Sequence, residues 1–240
     1  MVMRKYITST LLSLSISYII HAQENVYPDV AQIGKPFVSN SLSPFRGKNL
    51  YFGGEWVKAR ILTSNNDILT SDTYLFNYDK IERKLLITSD FKSILEIDHR
   101  EFKAIEFYVN DSAYFFKHIY YINDKDLFQI LVRDDGRYAL YKVMHTKMVR
   151  GTIGTVSNLG LVPASNSLLD RYVDYAEYYI SFPNKDFRSF FTIKRSAIKR
   201  LFGLNPEGSK VDNFFNLIGD KEYDENDLIQ LVSYLNRGTL

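Results

Sequence analysis

Residues 128–144 read FQILVRDDGRYALYKVM. Asp135-Gly136 parts two runs rich in branched and aromatic residues, Phe128–Arg133 and Arg137–Met144. Asp and Gly tolerate the positive φ of a tight turn, so the stretch predicts a β-hairpin. The same pattern extends upstream to residue 55. Val57, Ala59 and Ile61 alternate with Lys58, Arg60 and Leu62. Tyr74, Phe76 and Tyr78 alternate with Thr73, Leu75 and Asn77, and Ile105, Phe107 and Val109 with Ala104, Glu106 and Tyr108. Asn65-Asn66-Asp67, Asn110-Asp111 and Asn123-Asp124 stand between such runs. A period of two sends successive side chains to opposite sheet faces. Residues 55–146 therefore predict about eight short antiparallel strands in a meander.

Downstream, residues 147–167 read as a loop, with Gly151, Gly154, Gly160 and Pro163 among Ser, Thr and Asn. Residues 168–194 fit two patterns. Leu168, Leu169, Tyr172, Val173, Ala176, Tyr179 and Ile180 fit a helical face, with Ser167 and Asp170 as a capping pair. Tyr178–Phe182 and Phe187–Ile193, flanking Pro183-Asn184-Lys185-Asp186, fit a hairpin, and strands from about Asp174 are the favoured reading. The period then becomes helical. Ile198, Leu201 and Phe202 precede Gly203. Asn205-Pro206 starts a second helix carrying Val211, Phe214, Phe215 and Ile218, which Gly219 stops. Asp224 caps a third, with Leu228, Ile229, Leu231, Val232 and Leu235 on one face and Gly238 behind it. Such short one-sided helices need a partner, and the sheet supplies it. The expected class is α+β, mainly β: an antiparallel meander sheet or partly open barrel with a small C-terminal helical cap.

Upstream, residues 23–54 hold Pro28, Pro36, Pro44, Gly34, Gly47, Gly53 and Gly54, and read as an irregular arm. Residues 1–22 have Arg4 and Lys5, then an uncharged apolar run from Ile7 to Ile20, then Ala22 before Gln23. That is the order of a secretory signal peptide cleaved between Ala22 and Gln23. The run is short and Ser-rich for a spanning helix. The expected map is a signal peptide at 1–22, an arm at 23–54, a β-rich body at 55–193 and three helices within 194–240. The leader carries two of the 30 basic residues and none of the 28 acidic ones, so the remainder is charge-balanced. A balanced chain has no field for nucleic acid. With no Cys, it has no disulfide framework, thiolate metal site or cysteine nucleophile.

The motifs of several chemistries are missing. There is no Gly-x-Ser-x-Gly elbow, Walker loop, His-Glu-x-x-His or Rossmann glycine fingerprint. Gly151-Thr-Ile-Gly154 lacks the Lys and helix start of a phosphate loop. His118 and His145 could share a metal with a carboxylate if their strands face the same way; the favoured reading places them at the edge of an aromatic face. His99 sits in a charged turn. Asp220, Glu222, Asp224, Glu225 and Asp227 crowd the last helix start without the spacing of a calcium loop. Glu106 lies inside a strand, facing away from Ile105 and Phe107, which predicts exposure to solvent. The 18 Tyr and 17 Phe suit core packing first and sugar or protein surfaces second. Trp56, beside Gly53-Gly54, reads as a cover for the sheet end. An outer-membrane barrel is disfavoured by the closing helices and by Lys58, Arg60, Glu96, Glu106 and Lys142 opposite apolar neighbours.

The leader ending in Ala22-Gln23, the Pro-rich arm, Gly54-Glu-Trp-Val-Lys-Ala-Arg60 and the closing Asp227-Leu-Ile-Gln-Leu-Val-Ser-Tyr234 together resemble secreted or periplasmic Bacteroidota proteins of unknown function. The resemblance implies export in a diderm bacterium, to the periplasm, the outer-membrane surface or the medium, and carries no catalytic residue with it. The expected function is a non-catalytic binding module for an envelope protein or glycan, with no cofactor and no span in the mature chain. The alternative is an envelope hydrolase with a carboxylate or His118-based site.

Overall fold

The computed structural model describes residues 34–36, 49–135, 137–149, 171–203 and 207–237. The leader with Ala22 and Gln23, most of the arm, Gly136 of the Asp135-Gly136 turn, the Gly151–Gly154 segment, the Ser167 and Asp170 pair, Asn205-Pro206 and Gly238 lie outside these residues. Among them run β1 (Gly34–Pro36), β2 (Lys58–Thr63), β3 (Ile68–Thr70), β4 (Leu75–Asp79), β5 (Lys84–Thr88) and β6 (Ile94–Ile97). After a 3₁₀ turn (His99–Glu101) come β7 (Phe102–Val109), β8 (Ser112–Ile119), β9 (Asn123–Val132), β10 (Ala139–Val149), β11 (Arg171–Ser181) and β12 (Phe187–Phe190). Helices α1 (Arg195–Phe202), α2 (Gly208–Ile218) and α3 (Glu225–Asn236) close the chain. The chain is mainly β, with three short helices at the end, as the periodicity predicts. Residues 168–182 contain no helix among the described positions; Arg171–Ser181 is a strand.

An eight-stranded sheet has the order β12-β11-β10-β9-β8-β7-β2-β3, all pairs antiparallel, and does not close on itself. From β7 to β12 it is the predicted meander. Asn110 and Asp111 make the β7–β8 turn with φ of 46° and 62°, the two positive values a tight hairpin requires. Between β3 and β7 the chain leaves to build a second sheet, β1-β6-β5-β4. The arm is therefore not wholly irregular: Gly34–Pro36 pairs with β6. Residues 50–57 follow β4, bridging Leu50 to Asp79 and Val57 to Phe76. The Asn77 amide holds this path, donating to the Glu55 carbonyl at 2.6 Å.

The two faces of the long sheet differ. One row across it reads Ile61, Ile105, Phe116, Gln129, Lys142, Tyr178 and Phe190, each opposite the next. The second sheet covers the first part of this row, with Phe76, Tyr78, Leu85 and Ile87 packed on Ile61, Ile105, Phe107 and Phe116. The helices cover the last part, with Ile198, Phe202, Phe215, Leu228, Leu231 and Leu235 packed near Tyr178 and Ile180. Each fully buried Phe or Leu contributes about 1.5–3 kcal/mol by leaving water. Between the two cores lies a polar seam. The Tyr51 hydroxyl donates to Gln129 Oε1 at 2.8 Å. Glu225 accepts from the Tyr178 hydroxyl at 2.6 Å and pairs with Lys142 at 2.7 Å. Burial pushes the Tyr178 and Tyr51 phenols well above their ordinary range, and Glu225 beside them adds to it.

Candidate binding groove

The opposite face of the long sheet carries the alternate set. Arg60 faces Glu106, Glu106 faces Phe115, and Lys117 stands opposite Ala104 and Phe128. These strands and residues 133–135 bound an open groove of about 630 Å³. Glu106, expected in plain solvent, is half-buried there and accepts from the Tyr108 hydroxyl at 2.8 Å. Burial raises the Tyr108 phenol, the bond to Glu106 adds to the rise, and Arg60 acts against it. Lys117 Nζ pairs with Asp134 at 3.2 Å and lies 5.4 Å from the Tyr141 ring centre. The Arg133 guanidinium lies 6.0 Å over Phe115, an aromatic 36% exposed among charged and aliphatic lining residues. Arg60, Lys117 and Arg133 are matched by Glu106, Asp134 and Asp135, so the groove lining is charge-balanced.

A second cavity of about 610 Å³ adjoins it and shares Asp134. Its existence depends on an irregularity. Pairing of β8 with β9 jumps from His118 opposite Leu127 to Ile119 opposite Asn123, so Asp124, Lys125 and Asp126 form a bulge. The bent hairpin tip carries Tyr121 onto Phe187 of β12, ring centres 5.0 Å apart. The Tyr141 hydroxyl reaches Asp134 at 3.4 Å, and Tyr141 stacks on Phe187 at 6.5 Å. Burial raises the Tyr141 and Tyr121 phenols, with the Asp134 charge next in effect on each.

The other singled-out residues go elsewhere. Register places His118 on the face of Leu127 and Gln129, and His145 on the face of Tyr141 and Val143. The two imidazoles are therefore on opposite sides of the sheet, and the shared metal site does not form. His118 Nδ1 bonds the Asp126 carbonyl at 3.2 Å, while His145 Nε2 meets Glu177 at 3.1 Å. His99 is partly exposed, its ring 6.0 Å from that of His118. The acidic run before α3 is structural: Asp224 and Asp227 form a capping box, Asp227 pairs with Lys221 and Asp220 with Arg195. Among the described residues, no three His, Asp or Glu converge on a metal position. No described helix is long and apolar enough to cross a membrane. Trp56 is half-buried next to the Val57 bridge.

Lys117 and Arg133 carry no mark in the sequence because each has an ordinary strand reading, and Asp134, one of many carboxylates, reads with Asp135 as a turn residue. Phe115 was the available signal: an aromatic in register with Lys117 and Glu106 rather than with the core. Chemically, the groove offers charged groups with spare hydrogen-bonding positions beside one partly exposed ring, Phe115. No family model, curated protein or solved structure matches the chain.

Proposed function

We propose that the chain is an exported, non-catalytic binding protein of the envelope or its surroundings, and that the groove holds an uncharged glycan. The observation that carries this reading is the balance of charge in the groove lining, three cations with three carboxylates, of which Lys117 and Asp134 are paired. A ligand of either sign would meet like charges as well as opposite ones there, and at Lys117–Asp134 or Glu106 it would compete with contacts already made. A neutral, hydroxyl-rich ligand can instead use the lone pairs and N–H groups those pairs leave over. Phe115 supplies a flat apolar surface for the C–H face of a sugar ring. The volume falls in the range of about 300–1,000 Å³ common for small-ligand sites, which favours a glycan over a broad protein contact.

Glycan arrays of neutral and uronic-acid polysaccharides test the reading. Binding should be confined to neutral glycans, and Phe115→Ala should weaken it about tenfold, or ~1.4 kcal/mol, with unchanged circular dichroism. Binding confined to acidic glycans, or indifferent to Phe115→Ala, overturns it. The hydrolase reading has one supporting observation, Glu106 and Asp134 lining the same groove, since glycosidases use paired carboxylates. Release of reducing ends by the protein, abolished by Glu106→Gln, would favour that alternative. His118, on the other face of the sheet, has no part in such a site.

A further inference from the structure

Two cavities of similar size share one wall residue. The groove beside Phe115 and the cleft beside Tyr121 both include Asp134 in their lining. Each has its own aromatic surface. In the first it is Phe115, with Arg133 over it. In the second it is Tyr121, 67% exposed and braced by Phe187. Asp134 stands where the two meet, fixed by Lys117 at 3.2 Å and with the Tyr141 hydroxyl at 3.4 Å. A carboxylate can accept about four hydrogen bonds, so these two contacts leave room for a ligand hydroxyl from either side. The lining of this cleft also includes Lys185, an exposed cation in the β11–β12 turn, with φ of 63°.

We infer that the two cavities are subsites of one site, with Asp134 at the junction, and that the site takes an internal stretch of a linear neutral glycan rather than a single sugar. This rests on the proposed glycan-binding reading. An aromatic on each side of a hydrogen-bonding centre repeats the surface that one ring of a chain needs, once for each end of the stretch. When two subsites are bridged by one chain, the second contact forms intramolecularly and raises affinity without a new type of contact. A ligand too short to pass Asp134 gains nothing from Tyr121.

The test measures calorimetric affinity of the mature chain for neutral di- and hexasaccharides of linear α- and β-glucans, xylans and mannans. The expected result is a hexasaccharide of at least one series binding tenfold or more tightly than its disaccharide. Tyr121→Ala should remove that gain and leave disaccharide affinity within twofold. Phe115→Ala should weaken both lengths. Lys185→Gly keeps the turn, because Gly accepts positive φ, and should reduce hexasaccharide affinity alone; it serves as a second probe of the far cleft. Equal affinity at both lengths, or equal loss at both lengths in Tyr121→Ala, overturns the two-subsite inference and leaves the glycan reading standing. No binding at either length overturns both.

Discussion

His118 is 7% exposed, donates from Nδ1 to the Asp126 carbonyl, and has no partner for Nε2 among the described residues. Burial holds its pKa down to about 4, the Asp126 bond working against the fall and the nearby His99 with it. The unfolded chain takes up this proton near the ordinary value of about 6.5. Between those values the unfolded state binds more protons, so stability contributed above pH 6.5 is lost as pH falls toward 4. The full effect is roughly 3 kcal/mol. Asp126, its carboxyl raised by burial, acts in the opposite sense, so comparison with a variant isolates the histidine. Urea denaturation at pH 7 and pH 5 should show a smaller loss of stability in His118→Gln than in the unaltered protein. An identical loss in both would dismiss the histidine as its source. Glu106 marks the limit of legibility at this scale. Alternation assigned its face correctly, but only the neighbouring strand could show that Arg60, Tyr108 and Phe115 enclose it.

Among the elements, α3 is the most completely specified by local residues. Asp224 accepts from the Asp227 N–H at 2.9 Å, and Asp227 returns the bond to the Asp224 N–H at 3.3 Å. At the other end the Asn236 amide accepts from the Tyr138 N–H and donates to the Tyr138 carbonyl, both at 2.7 Å. It grips the start of β10 as a neighbouring strand would. Asp224→Ala should cost about 1 kcal/mol, lowering Tm by about 2–4 °C in a chain of this size. A thermal melt in which Asp224→Ala matches the unaltered protein would show that tertiary packing alone fixes the helix start. Hairpins and helix ends were readable because Asn110-Asp111, Gly219 and Asp224 act on their immediate neighbours. Pairing of Gly34–Pro36 with β6, the departure of β4 to β6 into a second sheet, and the β8–β9 bulge were not readable. Each depends on partners distant in the chain, for which alternation has no marker.

At the scale of the whole molecule, one sheet face supports two apolar cores held apart by Tyr51, Gln129, Lys142, Tyr178 and Glu225. Periodicity could predict apolar faces but not that two different layers would share one of them. Glu225→Ala would leave Lys142 and the Tyr178 hydroxyl without their acceptor. Because Glu225 is about one-third exposed, the cost should be about 1–2 kcal/mol, below that of breaking a fully buried pair. Tyr178→Phe should then cost less in the Glu225→Ala background than alone, as coupled partners do. Additive losses in urea denaturation would show that the seam residues act independently.

The position of β2 beside β7 has a further consequence, in the order of assembly. From β7 to β12 each strand pairs with its predecessor, so each link is local in sequence, the longest spanning the 21 residues between Val149 and Arg171. The β2–β3 hairpin joins that array at β7 across the intervening second sheet, a longer closure than the neighbouring β7–β8 link. Arg60 on β2 and Glu106 on β7 belong to these two separately assembled parts. The groove therefore needs this long-range closure as well as the meander, and a species holding only the meander would lack one of its walls.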